Sequence, residues 1–222
     1  MFLTIEGIEG SGKSTLITLL AREFESRSIP FLLTMEPGGS GLGKDLRRIL
    51  LSQSSSLDDN AELFLFLADR AQHAAEIIRP ALAGGQWVIC DRYADSTVAY
   101  QGYGRGMDPA FLRNASDFAA KGMIPDITLL LDLPAEEGLR RARRRNGLMG
   151  TAESEGRFEA EEMAFHQRVR SGFLEIARLE PERVAVLDAS QTPEDILNEA
   201  MKRLEPRMNA TAPHALSRDN IF

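Results

Sequence analysis

The chain has a single cysteine, Cys90, in 222 residues. No internal disulfide is possible, and such usage suits a reducing cytoplasm. Lysine is nearly as scarce: 22 of the 26 basic residues are arginine. Long apolar runs are missing. The longest are strand-sized, so no membrane-spanning helix is expected. The opening MFLTIEGIEG carries Glu6 and Glu9 where a secretory signal would carry basic residues and a long apolar stretch. Positive charge is in deficit, with a formal net charge of -7 and a pI near 5.1. That balance argues against a general affinity for nucleic acid or anionic membrane. A cytoplasmic globular protein is the expectation.

Against that acidity, one stretch stands out. RRARRRNG places Arg140, Arg141, Arg143, Arg144 and Arg145 within six residues. The remainder is ordinary for a globular chain, with 43% hydrophobic and 27% charged residues. One domain over 1–205 is expected, with a loosely held tail over 206–222.

Short apolar runs alternate with helical patterns. Strands are expected at Phe2–Ile5, Phe31–Thr34, Trp87–Cys90, Ile127–Leu131 and Val184–Leu187. Between them lie helices at Lys13–Phe24, Asp58–Leu82, Pro134–Arg145, 158–179 and Thr192–Leu204. Asp58 and Asp59 are cap candidates, and Thr192 is the N-cap of the last helix. Residues 146–157, NGLMGTAESEGR, read as a mobile loop. Apolar strands alternating with helices predict an α/β fold: a parallel sheet covered on both faces.

The strongest motif is GIEGSGKS, Gly7 to Ser14, between a strand and a helix. Glycines let successive N–H groups point at phosphate oxygens, and the helix N-terminus adds positive charge. Gly7, Ile8, Glu9, Gly10, Ser11, Gly12, Lys13, Ser14 and Thr15 are therefore candidates to bind a nucleotide's phosphates. Lys13 would reach the outer phosphates, and the Ser14 hydroxyl would ligate Mg²⁺. A second carboxylate should hold the metal. Two strands end in acids, Asp91 and Asp132, and either fits. Asp91 is followed by Arg92 at the strand end where open sheets bind ligands. Asp132 has a competing reading as the cap of the helix at Pro134.

An acceptor site is also legible. Phe66 and Arg70 are one helical turn apart, suited to stacking a base and bonding its edge. DRYADSTVAYQGYGRG, residues 91–106, crowds arginines, hydroxyls, tyrosines and a glutamine after a strand. Arg92 suits fork-like recognition of an acceptor phosphate.

Taken together, GIEGSGKST, EPGG, FLADRAQ, DRYADSTVAYQG, the RARRR segment and DASQ resemble the bacterial thymidylate kinases, in order and spacing, from Phe2 to about Leu204. The resemblance implies a five-stranded parallel sheet with helices on both faces and a mobile lid, about 140–158. It implies transfer of phosphate from ATP, with Mg²⁺, to dTMP by a homodimer. Phe66 would stack on thymine and Arg70 would bond its O4 edge. Arg92 would bind the dTMP phosphate. Ser96 and Thr97 would lie near the base. Tyr100 would disfavour a 2′-hydroxyl, and Gln101 would line the pocket. Glu9 and the Glu36–Pro37 turn would approach the sugar and phosphate. DASQ would lie by the adenine.

The family places its catalytic arginine in the phosphate loop or in the lid. Ile8, Glu9, Gly10 and Ser11 hold none, so the lid must supply it. Arg145 is the first candidate and Arg143 the second. Met35, where arginine is usual before EPGG, and Gly156, where an acid is usual before Arg157, depart from the family pattern. Three rival readings are a kinase with another acceptor, a nucleotide switch, and nucleic-acid binding through the arginines. The polar acceptor region disfavours the switch, and overall acidity disfavours nucleic acid.

Overall fold

The computed structural model describes residues 1–211. Five parallel strands form one sheet: β1 (Phe2–Glu6), β2 (Phe31–Met35), β3 (Trp87–Asp91), β4 (Ile127–Asp132) and β5 (Val184–Asp188). Their order is β2-β3-β1-β4-β5. Ile5 is in register with Asp91 and with Leu129, and Met35 with Asp91. The carboxyl ends of β1, β2 and β3 therefore reach one edge together. That edge is where an open parallel sheet binds ligands.

The strands are apolar on both faces because both are covered. On one face, Leu3, Ile5, Ile89, Leu129 and Leu131 pack against α1 (Lys13–Ser26) and α10 (Pro193–Thr211), through Leu16, Leu20, Phe24, Ala200 and Leu204. Pleating turns Phe2, Val88 and Cys90 to the opposite face. There, α3 (Asp59–His73) continues through a π-helical turn, Ala74–Ile78, into α4 (Arg79–Ala83). α5 (Ala94–Thr97) likewise runs into a π-helical segment, Val98–Gly104, which packs on α9 (Met163–Leu179). Val98, Phe165, Val169 and Phe173 are the contact.

Asp58 caps α3, accepting from Asn60 N at 2.9 Å, and Thr192 Oγ1 accepts from Asp195 N at 3.2 Å. Two helices escape the sequence pattern. α2 (Gly41–Leu51) opens with two glycines, but Ser40 caps it and Leu46 and Leu50 bury its inner face. α6 (Pro109–Ala120) carries legible signals, an Asp108 cap and Pro109 in its first turn. Residues 146–157 are not simply a loop. α7 (Ala135–Met149) extends four residues past Arg145, ends on the left-handed Gly150, and is followed by α8 (Ala152–Glu155). The helix expected over 158–179 is divided: Phe158–Ala160 form a 3-10 turn and α9 starts at Met163. α10 crosses position 205 and reaches Thr211, because Met208 still packs in the core. Residues 212–222 of the expected tail lie outside the described residues.

One packing contact positions the phosphate loop. Gly10 has φ +70°, and a Cβ there would lie 2.1 Å from the Gly138 carbonyl oxygen of α7. Conversely, a Cβ on Gly138 would lie 2.6 Å from Glu9 O and 2.7 Å from Ile8 Cδ1. Gly138→Ala has no helical backbone penalty, so it isolates the close approach. It should destabilise the fold by about 1–3 kcal/mol, read as a lower urea midpoint with an unchanged slope.

Candidate active site

A cavity of about 690 Å³ opens at the carboxyl edge of the sheet. Residues 9–12 of the loop between β1 and α1, with Lys13, Ser14 and Thr15 of the first turn of α1, form its floor. Gly7 and Ile8 do not line it; their carbonyls instead accept from Lys13 Nζ, at 2.9 and 3.0 Å. Burial and the charge of Arg92 bring the Lys13 ammonium down to about 8. Ser14 and Thr15 are exposed to the cavity. The buried Ser11 Oγ and Asp91 Oδ1 have no partner among the described residues.

The two strand-end acids are thus told apart. Asp91 lines the cavity, and its buried Oδ1 has no partner among the described residues. Asp132 accepts two bonds from Arg170, at 2.7 and 2.9 Å, and does not cap α7, whose N-cap position is Pro134. Arg92 forms no local pair with Asp91. Its NH2 donates to Glu9 Oε1 at 2.9 Å and to Tyr100 Oη at 3.0 Å, and its NH1 to Ser96 Oγ at 3.1 Å. Its guanidinium lies 4.9 Å over the Tyr100 ring. These ties hold Arg92 in the left-handed region, φ 67°, a conformation a non-glycine residue adopts at a cost of order 1–3 kcal/mol.

Glu9 is the hub of this cluster. Tyr100 Oη also donates to its Oε1, and His166 Nδ1 lies 3.5 Å from its Oε2. Burial works to raise the Glu9 carboxyl, but contact with His166 and the charges of Arg92 and Lys13 hold it well below the usual carboxylate range. Behind Arg92, Glu6 accepts from Tyr93 N at 2.8 Å and Ser96 Oγ at 2.6 Å. Burial and the Asp95 charge push its carboxyl up to about 7. Ser96 therefore supports the Arg92 side of the cavity. Thr97 is buried in the cavity wall.

Beside Arg92 the cavity wall is largely aromatic. Phe66, Tyr100, Gln101 and Phe158 line it. Phe158 stands 5.3 Å from Tyr100 and 6.3 Å from Phe66, between ring centroids. Periodicity assigned Phe158 to a helix face; it stands instead in a 3-10 turn. Arg70 is buried and not on a rim. Its Nε donates to Glu36 Oε2 at 3.0 Å, its NH1 to Ser116 Oγ at 3.0 Å, and it stacks 5.2 Å from the Tyr93 centroid. Glu36 is also held by His73 Nδ1 at 2.9 Å, so its carboxylate anchors the turn with Pro37 at the cavity. Arg47, which sequence reading passed over, reaches this wall from α2 and donates to Pro37 O at 3.0 Å.

Of the five clustered arginines, Arg141 and Arg145 line the cavity. Arg145 bonds Asn146 Oδ1 and lies 3.4 Å from Glu159 Oε1, with half its side chain exposed. Arg143 does not line the cavity. Two residues from Arg145, it points elsewhere on the helix and donates to Glu159 O at 3.1 Å. Arg141 NH1 is 3.4 Å from Ala189 O, which brings the DASQ segment beside it. Arg140 and Arg141 both pair with Glu137, so a single carboxylate is shared between two of the five arginines. A second concavity between α1 and α10 is lined by charges that pair among themselves, such as Arg27 with Glu205.

The thymidylate kinase family model matches residues 5–200. The chain belongs to the thymidylate kinase family. It is 59% identical to the thymidylate kinase of Solidesulfovibrio magneticus, over 88% of this chain and 94% of that one. It is 54% identical to that of Nitratidesulfovibrio vulgaris strain Miyazaki F, over 96% and 99%. The crystal structure of the thymidylate kinase from Ehrlichia chaffeensis superposes with a TM-score of 0.72 at 36% identity, covering 92% of this chain and 98% of that one. The protein is accordingly an enzyme, a kinase with the five-stranded parallel fold of its family.

Gly156, a departure from the family pattern, has a local cause. A Cβ there would lie 2.2 Å from Ala152 O and 2.7 Å from Gln53 Nε2. Met35 sits half exposed on the cavity rim and adds no charge.

Asp69 supports the acceptor-side turn, its Oδ1 accepting from Gly38 N at 3.1 Å while Oδ2 is buried without a partner. Burial, with the nearby Glu36 charge, pushes its carboxyl from the ordinary 3.8 up to about 6. Below pH 3.8 folded and unfolded chains both keep this proton. As pH rises through 6 the unfolded chain has already released it, so this group's stabilising contribution is lost. Asp69→Asn should therefore be more stable than the parent at pH 8, by on the order of 2 kcal/mol relative to the comparison at pH 4. Urea unfolding at the two pH values checks it; an equal difference at both would refute it.

Proposed function

We propose that the protein transfers the γ-phosphoryl group of ATP to dTMP, giving ADP and dTDP. The observation that carries this reading is one cavity lined by the phosphate loop and by an aromatic wall, with Arg92 bonded to both through Glu9 and Tyr100. The second phosphate pKa of a nucleotide is near 6, so dTMP is mostly dianionic at neutral pH and its oxygen attacks without a general base. The protein aligns, neutralises charge and excludes water.

Lys13 turns from the Gly7 and Ile8 carbonyls to the outer phosphates, and the loop N–H groups receive the rest. Arg92 holds the acceptor phosphate. Phe66 stacks on thymine, Arg70 faces its O4 edge and Gln101 its ring. Thr97 lies in the same wall. Tyr100, tied to Glu9, occupies the side of the sugar where a 2′-hydroxyl would stand, and Pro37 closes the turn nearby. Ser14 and the unpartnered oxygen of Asp91 suit a Mg²⁺ ion whose remaining ligands would be phosphate oxygens and water. That ion would screen the charge on the phosphates. Among the described residues no group of three or more His, Cys, Asp or Glu would enclose a metal without them.

The segment 140–158 acts as the lid. Arg145 leaves its weak tether to Glu159 and reaches the transferring phosphoryl oxygens when the lid closes. The enzyme works as a homodimer. Leu42 and Ile49 of α2, Phe64 of α3, and Phe111 and Phe118 of α6 are exposed apolar side chains on three adjoining helices, and a partner would cover them. No described helix is long and apolar enough to cross a membrane, in keeping with a cytoplasmic enzyme.

ADP release is the first test, with Mg·ATP and dTMP, dUMP, UMP, dCMP, AMP, thymidine or no acceptor. Turnover should favour dTMP, and Arg145→Ala should lower kcat by about a hundredfold or more while Arg143→Ala stays within a few-fold. Turnover favouring another acceptor sinks the pocket assignment; ADP release independent of acceptor favours a switch. Sedimentation should give a dimer for the parent chain and a monomer for Phe118→Glu; a monomeric parent removes the dimer.

A further inference from the structure

One side chain in the acceptor wall is oriented from outside the cavity. Gln101 is 1% exposed, and its amide can present either a donor or an acceptor. Its Nε2 donates to Glu62 Oε1 at 2.7 Å. Glu62 stands in the first turn of α3 and is 0% exposed. Its Oε2 meets Arg157 NH2 at 2.6 Å and Arg105 NH2 at 3.3 Å. A carboxylate held between two guanidiniums offers only lone pairs. Gln101 must therefore turn its NH2 towards Glu62 and its carbonyl oxygen away. Among the described residues that oxygen receives no hydrogen bond. Gln101 and its neighbour Tyr100 both line the cavity.

We infer that Glu62 is a specificity-determining positioning residue: it locks the Gln101 amide so that the cavity presents an acceptor to the base. The inference rests on the reading above that Gln101 faces the base. An acceptor at that point selects a pyrimidine with a ring N–H, thymine or uracil at N3. Cytosine carries a lone pair at N3, and two buried acceptors facing each other leave both unpaired. Sites built around one directed hydrogen bond discriminate strongly for this reason. If the amide were free to rotate, it would serve either base and select neither. Glu62 removes that freedom without touching the substrate.

The test compares kcat/KM for dTMP and 5-methyl-dCMP, which differ only at the N3 and C4 edge of the ring. In Glu62→Gln the new amide can accept or donate, so Gln101 is free to turn. The preference for dTMP should fall by about tenfold or more. A parallel loss with both substrates and an unchanged ratio would mean that Glu62 only supports the fold, and overturns the inference. Glu62→Asp keeps a charge for Arg105 and Arg157 while withdrawing the oxygen from Gln101. It serves if the first variant does not fold, with the same drop in ratio expected and an unchanged ratio equally fatal. Gln101→Leu separates the two readings. If it leaves the ratio unchanged, Gln101 does not face the base and the pocket assignment fails. If it lowers the ratio and neither Glu62 variant does, only the role of Glu62 fails.

Discussion

The carboxylate of Glu9 joins the two halves of this site. It belongs to the phosphate loop, yet its partners Arg92 and Tyr100 belong to the acceptor wall. A charge withdrawn from water has to be paired closely or it destabilises the fold. That requirement draws Arg92 into its left-handed backbone and sets Tyr100 upright against the cavity. It also prevents the donor floor and the acceptor wall from shifting independently. Glu6, three residues earlier and the last residue of β1, acts on the same side chain through Ser96. One carboxylate at the end of β1 and one in the following loop thus hold one guanidinium in position.

Residues 157–159 show how a short segment links distant parts. Arg157 is fastened to Glu62 and to the Leu50 carbonyl. Phe158 closes the aromatic wall. Glu159 contacts Arg143 through its carbonyl and Arg145 through its carboxylate. Adjacent side chains in a 3-10 turn point in three directions, so consecutive residues serve the anchor, the pocket and the arginines. Burial pushes the Glu159 carboxyl up, and so does the Glu9 charge.

The answer to the arginine cluster is division of labour by helical angle. Arg140 and Arg141 neutralise Glu137, Arg143 braces the lid exit, and Arg141 and Arg145 face the cavity. An acidic protein can concentrate guanidinium there because four of the five arginines are partnered by Glu137 or Glu159, and two of those line the cavity.

Sequence pattern alone carried the parallel sheet, the glycine-rich loop before α1 and the aromatic and basic residues that line the cavity. Each depends on local order: apolar runs of strand length, glycines at fixed spacing before a helix, side chains one turn apart. It left Asp91 and Asp132 equivalent, since both end strands. Only the folded chain separated them, because the partner of Asp132 is Arg170, 38 residues away and invisible to spacing. It missed α2 and ran Phe158 into a helix, because glycines and a mixed pattern hide burial that comes from other elements. The partners of Glu9, the occupied donor of Gln101 and the packing of Gly10 on Gly138 are contacts between residues far apart in sequence. Such contacts are chosen by three-dimensional packing and by the pairing of buried charge, neither of which has a period along the chain.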